Sequence, residues 1–519
     1  MERIVITLPE GTRRETATDP NQTLAQAVFL LGLWENVPLC SGLGKCGLCR
    51  VRFTSSAPAP RREEIARLGQ NDVDKGWRLS CLHPATPCEI ELPQPTRAAR
   101  PRREGRLDAR GQTALAVDLG TTTLHWAALQ GGKITASGSE LNAQIGLGGE
   151  IMARLAFSLR PGGGDILRNL VLDQLKLLSA SLNIPVDSLC IAGNPAMLAL
   201  LLGRNASCLA SSPYALPLRG GSLERLDPAL PPAYLPPLYA PFVGADLSAG
   251  FASLVLAPDA RPEYPFLLAD LGTNGEFILA LSPSELLCAS VPMGPALEGV
   301  GLRCGRTAGP GAVTGFTLGP AGPTPQYFEN DQNGPPGITG TGHLSLVALL
   351  LRAGLLRTDG RFLADAAQNA ATPLLGRLAA RLFTAQDEPA FRVNDDLALP
   401  ASDVEQILKV KAAFNLAFSR LLAEAGLLPG DLAALHLAGA MGEHVSLADL
   451  ETLGFLPAGL AARTRKQGNT SLRGAVLLLQ SPQVRKDLEG MAPPRLVDLA
   501  ADPELGSQFM QRMVFAHVR

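Results

Sequence analysis

A multidomain α/β architecture is the fold class this sequence predicts, and three observations predict it. At 519 residues the chain is too long for one hydrophobic core. Short alternating strands and five of the nine cysteines fall before residue 90, whereas beyond residue 113 apolar strands alternate with glycine-rich turns and helical stretches. Between them runs a stretch of proline and arginine with no apolar periodicity. Composition is globular, with 46% apolar and 18% charged residues, and a net charge of -2 gives no general attraction to nucleic acid or anionic membranes.

The opening "MERIVITLPEG" alternates like a strand and lacks a signal peptide's long apolar core. Apolar runs such as "HLSLVALLLRAGLL" stop short of the roughly 18 to 20 residues a membrane span needs. A soluble, cytoplasmic protein with no nucleic-acid or membrane partner is therefore expected. Thiols stay reduced in that compartment, so clustered cysteines point to metal or redox chemistry rather than to a disulfide framework.

Cys40, Cys46, Cys49 and Cys81 are spaced C-x5-C-x2-C-x31-C. Three thiolates from one loop and a fourth from a distant segment can wrap an iron-sulfur cluster. Gly42, Gly44 and Gly47 suit backbone that must approach inorganic sulfide closely. Zinc or inert buried thiols are the alternatives, though zinc usually takes two compact ligand pairs. Around the loop, "RIVITLPEG" and "RRETAT" predict a hairpin, "TLAQAVFLLGL" a short helix, and "CGLCRVRF" entry into a strand. Cys88 is expected as a packed strand cysteine and His83 as a surface or loop residue. Through about residue 93 this pattern resembles the two-iron ferredoxins, a β-grasp fold, with Cys40, Cys46, Cys49 and Cys81 as ligands of a 2Fe-2S cluster.

Residues 94–112 read as a flexible linker that lets a cluster module swing. The second part is placed at 113–519, with lobes at about 113–265 and 266–519. "ALAVDLGTTTLHWAAL" gives a strand, Asp118, the turn Gly120, Thr121, Thr122, Thr123, and a second strand. "FLLADLGTNGEFILAL" repeats the design with Asp270, Gly272, Thr273, Asn274 and Gly275. A carboxylate at a strand end followed by a turn of glycine and hydroxyl residues suits phosphate with Mg2+. Two copies predict a pseudo-symmetric site. "LAALHLAGAMGEHV" adds Gly439, Ala440 and Gly442, where backbone without bulk can border a nucleoside, and "ITGTGHLSLVALLL" reads as a glycine turn entering a helix.

These motifs, in this order, resemble the actin, sugar kinase and Hsp70 superfamily, a two-lobed ATPase fold. With the ferredoxin-like start, and with the strings "NAQIGLGGEIMARL", "IAGNPAMLALLLG", "FVGADLSAG", "MGPALEGVGLRCGRTAGPGAV" and "GNTSLRGAVLLL", the chain resembles the ATP-dependent reductive activators of corrinoid proteins. That resemblance implies ATP, Mg2+ and a 2Fe-2S cluster as cofactors. It implies one-electron reduction of cob(II)alamin to cob(I)alamin in a corrinoid methyltransferase protein, a low-potential electron donor, and a homodimer. Asp118, Asp270 and Glu150 become the catalytic candidates, with Glu150 standing where other members tend to have aspartate. Arg154 and Glu298 are weighed between direct roles and structural pairing, Asn194 between helix cap and cleft lining. A redox-regulated small-molecule kinase and an activator of a non-corrinoid metalloenzyme remain as alternatives.

Overall fold

The computed structural model describes residues 3–34, 37, 39–40, 42, 44, 46–94, 102–105, 111–334, 336–363, 372–385, 387–439 and 444–518. The cysteine-rich start folds as β1 (Arg3–Thr7), β2 (Arg13–Ala17), α1 (Leu24–Leu30), β3 (Arg50–Phe53), α2 (Arg62–Leu68), β4 (Trp77–Leu79) and β5 (Cys88–Glu91). The sheet order is β2-β1-β5-β3-β4, with β1 and β5 parallel at its centre, so the chain leaves one edge and returns to pair with its own beginning. α1 starts where it does because Thr23 and Gln26 form a reciprocal cap, each side-chain oxygen accepting from the other's backbone N–H.

Arg102–Gly105, within the expected linker, forms β6. It pairs antiparallel with the edge strand of the next sheet, because that edge offers unpaired backbone groups that an extended segment can satisfy. That sheet also contains β7 (Thr113–Leu119), β8 (Thr123–Gln130), β9 (Lys133–Leu141), then β10 (Ser188–Gly193), β11 (Ser222–Glu224) and β12 (Ala233–Leu235), in the order β11-β12-β10-β7-β8-β9-β6. Helices α3 (Ile151–Ser158), α4 (Gly163–Ser181), α5 (Pro195–Leu201) and α6 (Ala245–Val255) belong to this first lobe.

The second lobe repeats the plan. β13 (Phe266–Leu271), β14 (Asn274–Ser282) and β15 (Glu285–Pro292) form an antiparallel meander; α7 (Gly340–Arg352) and α8 (Ala401–Glu424) follow. Further on lie β16 (Ala434–Ala438), β17 (Thr464–Gly468), α9 (Thr470–Gln480) and β18 (Arg495–Leu496), and the sheet order is β17-β16-β13-β14-β15-β18. The run β10-β7-β8-β9 in one lobe thus matches β16-β13-β14-β15 in the other, and β10 and β16 each lie parallel to the first strand of their meander.

One helix crosses the expected boundary between lobes. α9 packs against α6 and the first sheet, its Ala475, Val476 and Leu478 sharing a core with Ala116, Ala127 and Cys190. The crossing is close because Gly474 is bare: a Cβ there would meet the Ala249 carbonyl oxygen. No described helix is long and apolar enough to cross a membrane.

Candidate functional site

Cys40, Cys46, Cys49 and Cys81 line one cavity, together with Thr23, Ala25, Gln26, Leu39, Gly42 and Gly146. Cys49 leads into β3, and Cys81 sits in the turn after β4. Ser80 fixes these two segments to each other, its N–H and hydroxyl both donating to the Cys49 carbonyl at 3.0 and 2.7 Å. Within the loop Gly42, Gly44 and Gly47 all have positive φ, 104°, 66° and 73°, a region that β-carbons disfavour. Cys46 lies in hydrogen-bonding contact with Cys40, and Cys49 with Cys81. In each pair the neighbouring thiol, then burial, pushes the second pKa well above a thiol's usual range. Among the described lining residues none is cationic. Four thiols in one cavity, with Cys46 and Cys49 resisting ionisation beside their neighbours, are suited to a centre that brings its own positive charge, so the donor set fits an iron-sulfur cluster.

His83 is a loop residue, one of the two places expected for it, but it is not on the surface: it is buried, its Nε2 2.8 Å from Glu64 Oε1. Glu64 is fully buried and also accepts from the N–H groups of Leu79 at 2.7 Å and Arg61 at 2.8 Å. Burial alone would raise its pKa, but the bonds from His83 and the two amides hold the carboxyl below its ordinary value. The pair fixes β4, and with it the Cys81 turn, to α2. Cys88 is a half-buried strand residue whose thiol burial pushes up to about 11. Cys190, Cys208, Cys288 and Cys304 are free and at least half-buried.

The second site lies between the lobes. Asp118, at the end of β7, accepts from Asn469 Nδ2 at 2.7 Å and Ser471 Oγ at 2.8 Å, both from the start of α9. After Asp118 the turn is held from behind: Asn142 donates to the Gly120 carbonyl at 2.8 Å, and Asn194 Nδ2 lies 3.1 Å from Thr121 Oγ1. Gly120 is bare because a Cβ would sit 2.5 Å from the Thr123 carbonyl oxygen. The buried Thr122 hydroxyl has no partner among the described residues, and an orphaned donor in the turn after a strand-end carboxylate fits a phosphate oxygen.

In the second lobe Asp270 ends β13. Glu276 faces it in the β13-β14 register, and Asp246 comes from the first turn of α6. Burial, then the charges of Asp246 and Asp118, pushes Asp270 up to about 8. Burial and Asp118 push Asp246 up to about 7, and Glu276 is raised by burial and by Asp246 and Asp270. Carboxylates crowded like this take up protons or a cation. Across the turn Gly272 N–H donates to Asn274 O, and Thr273 Oγ1 donates to Glu298 Oε1 at 2.7 Å. Gly439 follows β16 with φ 80°, and a Cβ there would lie 2.5 Å from Asp270 Oδ1. Ala440 and Gly442 lie outside the described residues.

Glu150 uses both carboxylate oxygens to cap α3, accepting from Ala153 N at 2.9 Å and Met152 N at 3.2 Å. Asn194 combines the two roles weighed for it, capping α5 through Met197 N while touching Thr121. Arg154 is fully buried. It donates to the carbonyls of Thr121 and Gly148 and to Gln144 Oε1. Burial lowers its pKa to about 9 against the pull of Glu298 and Glu150. Sequence reasoning assigned no role to Asp246, Glu276, Asn469 or Ser471. A signal was present: each lies in a string already singled out, Asp246 in "FVGADLSAG", Glu276 in "FLLADLGTNGEFILAL", and Asn469 and Ser471 in "GNTSLRGAVLLL".

A two-lobed, internally duplicated ATPase fold joined to a β-grasp thiol module defines the class. Two family models match consecutive parts of the chain: the RACo middle region at 113–257 and the C-terminal domain of RACo, the ASKHA domain, at 265–519. The chain belongs to the RACo family. The corrinoid activation enzyme RamQ of Eubacterium limosum is 28% identical over 434 residues, 77% of this chain and 70% of RamQ. A 93-residue stretch, 17% of the chain, is 31% identical to putidaredoxin of Pseudomonas putida and covers 87% of it. A solved reductive activator for corrinoid, iron-sulfur protein matches 100% of this chain and 99% of its own at TM-score 0.67 and 20% identity, which establishes the shared fold. The ferredoxin-like match points to an iron-sulfur cluster and the ASKHA match to ATP.

Proposed function

We propose that this protein is an ATP-dependent reductive activase that passes one electron from a 2Fe-2S cluster to cob(II)alamin in a corrinoid methyltransferase protein, restoring cob(I)alamin. The observation that carries the reading is the presence in one chain of a four-thiol pocket and a duplicated carboxylate-threonine cleft, an arrangement that a simple electron carrier does not need. The names of its relatives, a corrinoid activation enzyme and a reductive activator for a corrinoid, iron-sulfur protein, agree with it.

In this reading Cys40, Cys46, Cys49 and Cys81 hold the cluster, which supplies a one-electron carrier. Asp118 and Asp270, with Asp246 and Glu276, form the Mg2+ environment. Thr121, Thr122 and Thr123 with Gly120 receive one phosphate, Gly272, Thr273 and Asn274 another, and Gly439, Ala440 and Gly442 border the nucleoside. Glu150 acts at a distance, through the charge it places on Arg154. The three parts are residues 1–93, the connecting 94–112 and the ATPase region 113–519, in a cytoplasmic protein served by a low-potential donor and working as a homodimer. Plant-type 2Fe-2S centres sit near about -400 mV, and each 59 mV by which the acceptor lies lower costs about tenfold in equilibrium. ATP is the means of overcoming that gap.

The test is anaerobic: mix reduced protein with a corrinoid methyltransferase subunit in the cob(II)alamin state and follow the cob(I)alamin band with and without MgATP. Formation that needs MgATP and is lost in Cys46→Ser and in Asp270→Ala is the expected result. Absence of cob(I)alamin with several subunits, while cluster and nucleotide are bound, would overturn it.

A further inference from the structure

The thiol module is seated on the first lobe by apolar packing. Leu24, Val28 and Phe29 of α1 share one core with Ile145, Leu147, Phe157, Leu167 and Leu200. The approach is close enough that a Cβ on Gly146 would lie 2.2 Å from the Phe29 ring. Toward the second lobe a polar contact is made. One nitrogen of the Arg67 guanidinium donates to the Arg303 carbonyl at 2.9 Å, and the other donates to the Cys46 carbonyl at 2.8 Å. Gly47 makes room for this side chain: a Cβ there would be 2.7 Å from Arg67 Nε.

Arg303 is itself anchored, its N–H donating to Asp403 Oδ2 at 2.9 Å in the first turn of α8. Five residues upstream, Glu298 accepts the hydroxyl of Thr273 in the second turn of the cleft. A single side chain therefore ties the loop that carries Cys46 to a second-lobe segment that begins at the Thr273 partner. A guanidinium suits this because its planar fork satisfies two carbonyls at fixed geometry. The module rides on the first lobe, so any shift of the second lobe beyond the few tenths of an ångström that a hydrogen bond tolerates must break the Arg303 bond or drag the Cys46 loop.

We propose that Arg67 is a positioning residue through which the nucleotide state of the cleft is felt at the cysteine loop. The inference rests on the function proposed above and adds to it a physical route between the two sites. It predicts that the cluster's surroundings change when nucleotide binds, before any electron acceptor is present.

The experiment uses the full-length, cluster-loaded protein with no corrinoid partner, and compares the cluster's EPR spectrum and midpoint potential with and without a non-hydrolysable MgATP analogue. Amide hydrogen exchange at 46–48 and 299–306 is followed alongside. Wild type should show a nucleotide-dependent shift at the cluster and changed exchange in both segments. Arg67→Ala should lose the shift while cluster content and nucleotide affinity stay as in wild type. Arg67→Lys should lose it too, because an ammonium cannot reproduce the fork. Asp403→Ala, which loosens Arg303 without touching the cysteine loop, should weaken the shift and guards against a local effect of Arg67 on the cluster. A shift of equal size in wild type and Arg67→Ala, or no shift in wild type with both ligands bound, would overturn the inference and leave the function standing. Wild type that binds no cluster or no nucleotide would overturn both.

Discussion

Replacing Asp270 with asparagine should make the nucleotide-free protein more stable while removing its response to MgATP. Asp270 is raised from 3.8 to about 8 by burial and by the charges of Asp246 and Asp118. With the folded pKa raised, the folded chain binds the extra proton, so stability is full below about pH 4 and falls as pH rises toward 8. About 4 pH units at 1.36 kcal/mol each give a ceiling of about 6 kcal/mol. The carboxylate still opens onto the cleft and its repulsion is shared with its neighbours, so asparagine should recover about 2 kcal/mol at pH 8.5. Wild type at a free MgATP concentration of about 100 Kd gains about 2.7 kcal/mol from binding, and the variant should gain almost none. Denaturant unfolding of both proteins at pH 8.5, with and without MgATP, reads the two effects separately. A variant less stable than wild type without nucleotide, or one stabilised as much by MgATP, would refute the view of this cluster as a cation site held under repulsion.

Three further outcomes are expected. Gly146→Ala puts a methyl 2.2 Å from the Phe29 ring; overpacking of about 1–3 kcal/mol should raise the undocked fraction of the thiol module roughly 5- to 150-fold. Faster tryptic cleavage in 94–112 would show it, and an unchanged rate would count against the interface. His343, fully buried in α7, is pushed down by burial from 6.5 to about 4. Its lowered pKa costs nothing above pH 6.5, but stability is lost as pH falls toward 4, about 2 kcal/mol by pH 5. His343→Leu should lose about that much less between pH 7.5 and pH 5 in urea titrations, since the bond from Nδ1 to the Thr339 carbonyl is forfeited equally at both pH values. Glu64→Ala leaves His83 and the amides of Leu79 and Arg61 without their acceptor. It should cost about 3 kcal/mol, seen as bleaching of the cluster band at lower temperature than in wild type.

The sequence by itself determined the local devices. Cysteine spacing marked four thiols that the fold brings to one cavity, because three share a loop and the fourth lies on a neighbouring strand's turn. The two Asp-Gly-Thr stretches marked both halves of the cleft, because a strand-end carboxylate and its tight turn are set by adjacent residues. Only the tertiary structure decided what depends on register and packing between distant segments. Asp246 and Glu276 join Asp270 through a helix start and a cross-strand pairing. Asn469 and Ser471 reach Asp118 because Gly474 lets α9 lie against α6. Glu150 caps a helix, His83 meets a buried carboxylate, and part of the basic stretch joins a sheet edge. Alternation and spacing report neighbours along the chain, whereas a hydrogen bond between residues 236 positions apart, such as Arg67 to Arg303, exists only once two separately folded units meet.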